Sequence, residues 1–287
     1  MNYQDGQLYS KQIIVNMPQM ANSALSENWL FKEIGDIHWQ LLCRGLNTDS
    51  AELSDADGDR LYATFISIEI DSKALFHYSE NDVIHLLAKI ERYGDNIYRT
   101  RISSDADITA KLVTSFTKRF KRDNTSLKKA SPHTDQNDIP LIPYPDALDV
   151  HRQVRKGVMR TVESGGVIFE LRDAILYETT HSIIPFYEIN GVGLLYFAAY
   201  PIINEMCELR FHEEEMDIHD WAEAYHTKSR KILYLGNCPR TDKVIYRLHD
   251  RQEIDNDRIK LYSTLSRASD GKRIAEIFTV KERNQAH

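Results

Sequence analysis

Residues 187–201 read YEINGVGLLYFAAYP. An asparagine and two glycines lead into leucines, alanines and aromatics with almost no polar face, and Pro201 cuts across the run. A helix that is apolar nearly all round has to be enclosed on most sides. The stretch therefore predicts a helix that forms the centre of a core, entered through Asn190, Gly191 and Gly193, with Asn190 in a cap position.

The neighbouring sequence supplies material to enclose it. VIFELRDAILYE before it and RKILYLG, KVIYRLH, RIKLYSTLSR and GKRIAEIFTVKER after it read as strands. The same order occurs earlier in the chain. SENWLFKEIGDIHWQLL places Leu30, Ile34, Ile37 and Leu41 at helical spacing behind Ser26 as N-cap, with Glu33, Asp36 and Gln40 on another face. RLYATFISIEI then alternates as a half-buried strand, Tyr62 sharing the face of Ile66, Ile68 and Ile70, and three more strands follow. Tyr234 falls at a strand position that resembles that of Tyr62. Between the halves, residues 123–149 carry four prolines (Pro132, Pro140, Pro143, Pro145) among polar residues and read as a linker. The expected organisation is an N-terminal unit over 1–122, that linker, and a C-terminal unit over 150–287. Its fold class is α+β, a double hot-dog: two fused units, each an antiparallel sheet wrapped around one long helix.

Composition narrows the function. The 287 residues have a net charge of −7, which sets up no broad attraction for nucleic acid. No run approaches the ~18 apolar residues of a membrane span, and no targeting segment is visible, so a cytoplasmic protein is expected. Three cysteines without a C-x-x-C pair point to neither a disulfide framework nor a zinc site. One basic cluster, Lys118-Arg119-Phe120-Lys121-Arg122 with Lys128 and Lys129, reads either as a solvated strand end or as a contact for a nucleotide phosphate or an acidic carrier protein. His212-Glu213 lacks the second histidine of a zinc-protease helix, and GVGLLY lacks the third glycine of a dinucleotide fingerprint and the lysine of a P-loop. Neither a G-x-S-x-G elbow nor a dehydratase-type His-x-x-x-Gly-x-x-x-x-Pro pattern is present. No metal and no cofactor are expected.

YEINGVGLLYFAAYP resembles the helix-entry signature of hot-dog thioesterases, with Gly193, Tyr196 and Tyr200 on matching positions and Asn190 where that family keeps an acidic residue. An amide is neither nucleophile nor base, which removes that family's route to hydrolysis. A longer resemblance takes in LSENWLFKEIGDIHWQLL, GDRLYATF, EINGVGLLYFAAYPIINEMCE and KILYLGNC. Over nearly the whole chain these are similar to the double hot-dog acyltransferase/decarboxylases of polyketide pathways, the leinamycin-pathway type. The resemblance implies decarboxylation of methylmalonyl-CoA and transfer of the propionyl group to the phosphopantetheine of an acyl carrier protein. It also implies Tyr62 as catalytic residue. Phenols ionise near pH 10, so ~0.1% is phenolate at neutral pH, and such a residue needs helping donors or acts as a hydrogen-bond donor itself.

Decarboxylation develops an enolate, for which Asn190 would offer a neutral donor and Gly191 and Gly193 bare backbone N–H groups. Glu27, at the start of the first helix, and His133, in the linker, complete the candidates; a favourable dipole partner and a solvated histidine are their ordinary readings. Two alternatives stand beside this reading. One is an acyl-CoA or acyl carrier protein thioesterase or simple acyltransferase, and the other is a non-catalytic scaffold that binds acyl thioesters. Association into a homodimer is left open.

Overall fold

The computed structural model describes residues 8–22, 24–72, 75–105, 107–119, 127–134 and 136–284. Phe120, Lys121 and Arg122 of the basic cluster lie outside them.

The first long helix, α1 (Glu27–Gly45), starts where its side chains dictate. Ser26 Oγ accepts from Trp29 N at 3.2 Å, Glu27 occupies the first turn, and Leu30, Phe31, Ile34, Ile37 and Leu41 are buried along one side. Strands β1 (Leu8–Ile14), β2 (Tyr62–Ser72), β3 (Val83–Tyr93), β4 (Ile97–Ser104), β5 (Ile108–Arg119) and the short β6 (Leu127–Lys129) surround it. In the second half, a small separate hairpin, β7 (Thr161–Ser164) and β8 (Val167–Glu170), precedes β9 (Tyr177–Ser182). The single predicted strand VIFELRDAILYE is thus two elements. The second long helix, α3 (Ala199–Met216), is followed by β10 (Tyr225–Tyr234), β11 (Lys243–Glu253), β12 (Arg258–Arg267) and β13 (Arg273–Arg283).

Eleven strands form one antiparallel sheet in the order β1-β3-β4-β5-β2-β10-β13-β12-β11-β9, with β6 added on β5. The halves are joined where β2 meets β10, through Ser67↔Leu233 to Asp71↔Ser229. One apolar core containing residues of both helices lies against one face of this sheet. This is the predicted double hot-dog. The other face is covered near the seam by α2 (Asp146–Arg155), whose Leu148 meets Ile66 and Val113 and whose Val154 packs with Leu233 and Phe278. Strands buried on both faces lose the alternation of apolar and polar residues, which accounts for IAEIFTV in β13, where even Glu276 is buried. None of the described helices is long and apolar enough to cross a membrane.

Two local differences from the sequence reading bear on the site. First, a bulge between Phe65 and Ser67 in β2 shifts the alternation, so Phe65, Ile68 and Ile70 pack with the helix-side core while Ile66 packs with α2. Tyr62 therefore shares a face with Ile66 but not with Ile68 and Ile70. Second, α3 begins at Ala199, well after the glycines. Pro201 is then the third helical residue, buried in the first turn, where an N–H would have no intrahelical acceptor. It starts the helix and does not break it.

Candidate functional site

The asparagine and glycines build a tight turn in place of a helix cap. Asn190 N donates to Leu194 O at 2.9 Å and Gly193 N to Asn190 O at 3.0 Å, while Asn190 Oδ1 accepts from Val192 N at 3.1 Å and Leu194 N at 3.0 Å. Gly193 has φ +82°, a left-handed backbone that suits glycine. Leu195 N then donates to Cys238 O, fixing the turn to the segment after β10. The side-chain oxygen of Asn190 is committed inside this turn, and its amide NH2 is the group left to face outward.

Beside the turn opens a cleft of about 490 Å³. Its walls come from both halves: Gly35, Asp36, His38 and Trp39 of α1, Tyr62 to Phe65 of β2, Asn190 to Val192 of the turn, the approach to α3 from Leu194 to Phe197 with Tyr200, and Tyr234 at the end of β10 with Gly236 and Asn237 after it. Arg119 and Leu127 line its Tyr62 end. The lining is mainly apolar and aromatic, the usual character of a small-molecule site.

Tyr62 and Asn190, far apart in sequence, therefore line one cleft, with Gly191 beside Asn190. Arg119 connects their surroundings: its guanidinium lies 5.6 Å from the Tyr62 ring centroid and donates to Val192 O at 2.6 Å. Arg60 approaches the same ring at 5.8 Å. Gly193 shapes the turn and is not part of the wall. Tyr234, at the end of β10, is not the counterpart of Tyr62, at the start of β2; Tyr225 opens β10, and the antiparallel seam brings Tyr234 to the same cleft from the opposite side.

The floor consists of polar groups whose hydrogen bonds are already used. Phe197 packs on Phe65 at 4.3 Å between ring centroids, and Tyr234 Oη donates to Phe197 O at 3.1 Å. Tyr200 Oη donates to Gly236 O at 3.1 Å, and burial pushes both phenols above their ordinary range. His38 is buried between Thr100 Oγ1 at 2.6 Å and Thr114 Oγ1 at 2.9 Å, and burial lowers its pKa to about 3. A neutral imidazole with both nitrogens occupied closes the floor and does not shuttle protons.

Two features of the cleft escape the sequence patterns. Asp36 presents an exposed carboxylate, its Oδ2 accepting from Gln40 Nε2 at 2.6 Å one turn along α1. In the sequence it reads as part of a solvated helix face; what distinguishes it is that the cleft opens over that face. The cleft also reaches the start of α3 through Phe197 and Tyr200; its cap residue Ala198 offers no side-chain hydrogen bond, and Ala199 N donates to Tyr196 O at 2.8 Å. The positive end of the helix dipole thus lies here, about one turn beyond the glycines to which the sequence reading assigned it.

Glu27 and His133 are elsewhere. Glu27 Oε1 receives Arg230 Nε at 2.6 Å inside a buried network in which Arg230 also meets Glu205, and Lys281 Nζ donates to Glu205 Oε2 at 2.6 Å. Glu208 completes it, with Oε2 3.8 Å from Lys281 Nζ. This network occupies the counterpart of the cleft at the start of α1 and fills it with ion pairs. His133 is exposed, its backbone N donating to Ser54 O at 2.9 Å. Near it Asp55, Asp57 and Asp59, three carboxylates grouped closely enough to hold a metal ion, surround Lys118 Nζ at 2.6, 3.0 and 2.8 Å.

In sequence, no protein-family model and no curated protein matches the chain. In structure, it is similar to a 12:0-ACP thioesterase from Umbellularia californica, with a TM-score of 0.61 at 10% identity over 99% of this chain and 100% of the other. An acyl-ACP thioesterase from Bacteroides thetaiotaomicron gives a TM-score of 0.61 at 10% identity, over 96% and 98% of the two chains. Likeness at this identity establishes the shared fold over nearly the entire chain, and function has to be argued from the cleft.

Proposed function

We propose that the chain is an enzyme acting on acyl thioesters and that its cleft hydrolyses them. The observation that carries this reading is the exposed Asp36 carboxylate lining one apolar cleft together with Phe197 and Tyr200 at the start of α3, a helix start without a side-chain cap. The acyl chain would lie along Phe65, Phe197 and Trp39, with the thioester carbonyl towards the helix start. Ala199 N already donates to Tyr196 O and Pro201 has no N–H, so the Tyr200 N–H is the donor of the first turn that would stabilise the oxyanion, one such donor being worth ~10²–10³ in rate. Asp36 would take a proton from the attacking water, a contribution of typically 10²–10⁴. Collapse of the tetrahedral intermediate would then break the C–S bond, and the proton held by Asp36 would pass to the leaving sulfur, releasing the carboxylic acid and the thiol. The likeness in fold to the two acyl-ACP thioesterases supports an acyl carrier protein as one source of substrate.

A second reading rests on Tyr62 and Asn190 lining one cleft. In it the chain decarboxylates methylmalonyl-CoA and passes a propionyl group to an acyl carrier protein. The outward amide of Asn190 would steady the enolate oxygen, and Tyr62 would deliver the acyl group.

The deciding experiment incubates the protein with straight-chain acyl-CoAs and with methylmalonyl-CoA, with and without pantetheinylated carrier, and follows free thiol, carbon dioxide and carrier mass. Free thiol from acyl-CoA, lost in Asp36→Asn, is the expected result. Carbon dioxide with a propionyl mass on the carrier would favour the second reading instead. Thioester binding without any turnover would leave a non-catalytic scaffold.

A further inference from the structure

The basic cluster in the sequence divides in the structure according to strand alternation. Lys118 points to one face of β5, where Asp55, Asp57 and Asp59 take it up. Its neighbour Arg119 points to the other. Residues directly opposite one another on adjacent strands share a face. Tyr62 pairs with Thr117, and Thr117 with Lys129, so Tyr62 and Lys129 lie in one cross-strand row; Arg119 pairs with Leu127 in the next row of that face. Arg60 joins them by stacking on Tyr62. Arg60, Arg119 and Lys129 are all exposed, and among the described residues none is in an ion pair. A chain of net charge −7 thus has three cations without an ion pair, among the described residues, towards the Tyr62 end of an apolar cleft: Arg119 in its wall, Arg60 against the Tyr62 ring, and Lys129 one strand beyond Thr117.

An acyl thioester of biological origin has an apolar acyl end and, at the other end of its pantetheine arm, phosphate. The first matches the Phe65 and Phe197 floor. We propose that Arg60, Arg119 and Lys129 form the phosphate-binding rim of the cleft and hold the phosphorylated end of the pantetheine arm, so that the thioester enters from the Tyr62 side. Guanidinium groups match phosphate by paired N–H donors, and a lysine adds a mobile point charge. This rests on the reading of the cleft as an acyl-thioester site, and it adds which end of the cleft takes which end of the substrate.

The test uses the full chain and one acyl group on four donors: CoA, phosphopantetheine, pantetheine without phosphate, and an acyl carrier protein. Arg60→Gln combined with Lys129→Gln removes two cations that make no hydrogen bond to the cleft wall. The expected result is a KM raised about tenfold for acyl-CoA, with kcat and the KM for acyl-pantetheine unchanged. Rise of the salt concentration should weaken acyl-CoA turnover in the wild type and leave the double variant nearly indifferent. A matching loss with acyl-phosphopantetheine or with the carrier identifies the arm's own phosphate as the bound group, and a loss confined to acyl-CoA identifies the nucleotide phosphates. Equal loss with acyl-pantetheine, or none with acyl-CoA, overturns the inference. Calorimetric titration with CoA itself separates it from the hydrolysis reading: if no thioester is turned over yet CoA binds wild type and not the double variant, the phosphate rim stands without that chemistry.

Discussion

Glu208 offers the sharpest test of the buried ion network. It is completely buried; Oε1 accepts from Asn204 Nδ2 at 2.6 Å, while Oε2 makes no hydrogen bond among the described residues. Burial, and then the charge of Glu205, raise its pKa to about 7 against the attraction of Lys281 and Arg230. In the unfolded chain a glutamate titrates near ~4.3. A raised folded pKa favours the native state fully below the unfolded value, and that advantage is lost as pH rises through about 7. At ~1.4 kcal/mol per unit the full loss is on the order of 4 kcal/mol. Glu208→Gln removes the titration while keeping the oxygen that Asn204 needs. Unfolding free energies from urea titrations, taken between about pH 5 and about pH 9, should fall with pH more steeply in wild type than in the variant. The buried His212 and His226, held down to about 4 chiefly by burial, act in the opposite sense: they favour the native state above the unfolded histidine range, and their contribution is lost on acidification. Both proteins contain them, so they cancel in the difference. A variant-minus-wild-type difference that stays flat across this window refutes the assignment.

Other substitutions follow from the same geometry. Arg230→Met leaves Glu27, Glu205 and Glu208 clustered around Lys281 alone and should cost about 3–5 kcal/mol, read as a lowered midpoint in denaturant. A Cβ on Gly35 would stand 2.3 Å from Phe197 Cζ, and that ring is held by Phe65 and Tyr196. Gly35→Ala therefore sets ~1 kcal/mol of helix propensity against ~1–3 kcal/mol of overpacking, so thermal melting should show net destabilisation and acyl-CoA binding should weaken. Asp36→Asn should lower hydrolysis ~10²–10⁴-fold with the melting temperature within a few degrees of wild type. Tyr62→Phe, which keeps the ring between Arg60 and Arg119, should preserve stability, and in the decarboxylating reading it should abolish propionyl delivery to the carrier, measured by intact mass.

The architecture was legible because its signals are local. The cap at Ser26, the helical spacing from Leu30 to Leu41 and the apolar run after Leu194 each identify an element from a few neighbours in sequence. The start of α3 was not, because Asn190 and the glycines serve equally as a cap or as a turn. The choice falls to bonds with Glu188 and Cys238 that hold Tyr196 and Leu195, the second of them far along the chain. The bulge after Phe65 is likewise silent in RLYATFISIEI, and it moves Tyr62 off the face of Ile68 and Ile70. Asp36 looked like any charge on a solvated helix because nothing local records that a cleft opens above it. Glu27 could be placed at a helix start, yet its fate was decided by Arg230, two hundred residues away.

The join between the halves combines the backbone ladder from Ser67 to Asp71 against Leu233 to Ser229, the apolar packing beneath it, the buried Glu27–Arg230 pair and the bond from Arg119 to Val192 O. Covalent continuity through the stretch between β6 and α2 adds proximity but no wall of the cleft. A chain nicked there should therefore behave as a heterodimer, and the thioester turnover proposed for the cleft should become second order in fragment concentration on dilution while each assembled cleft works as before.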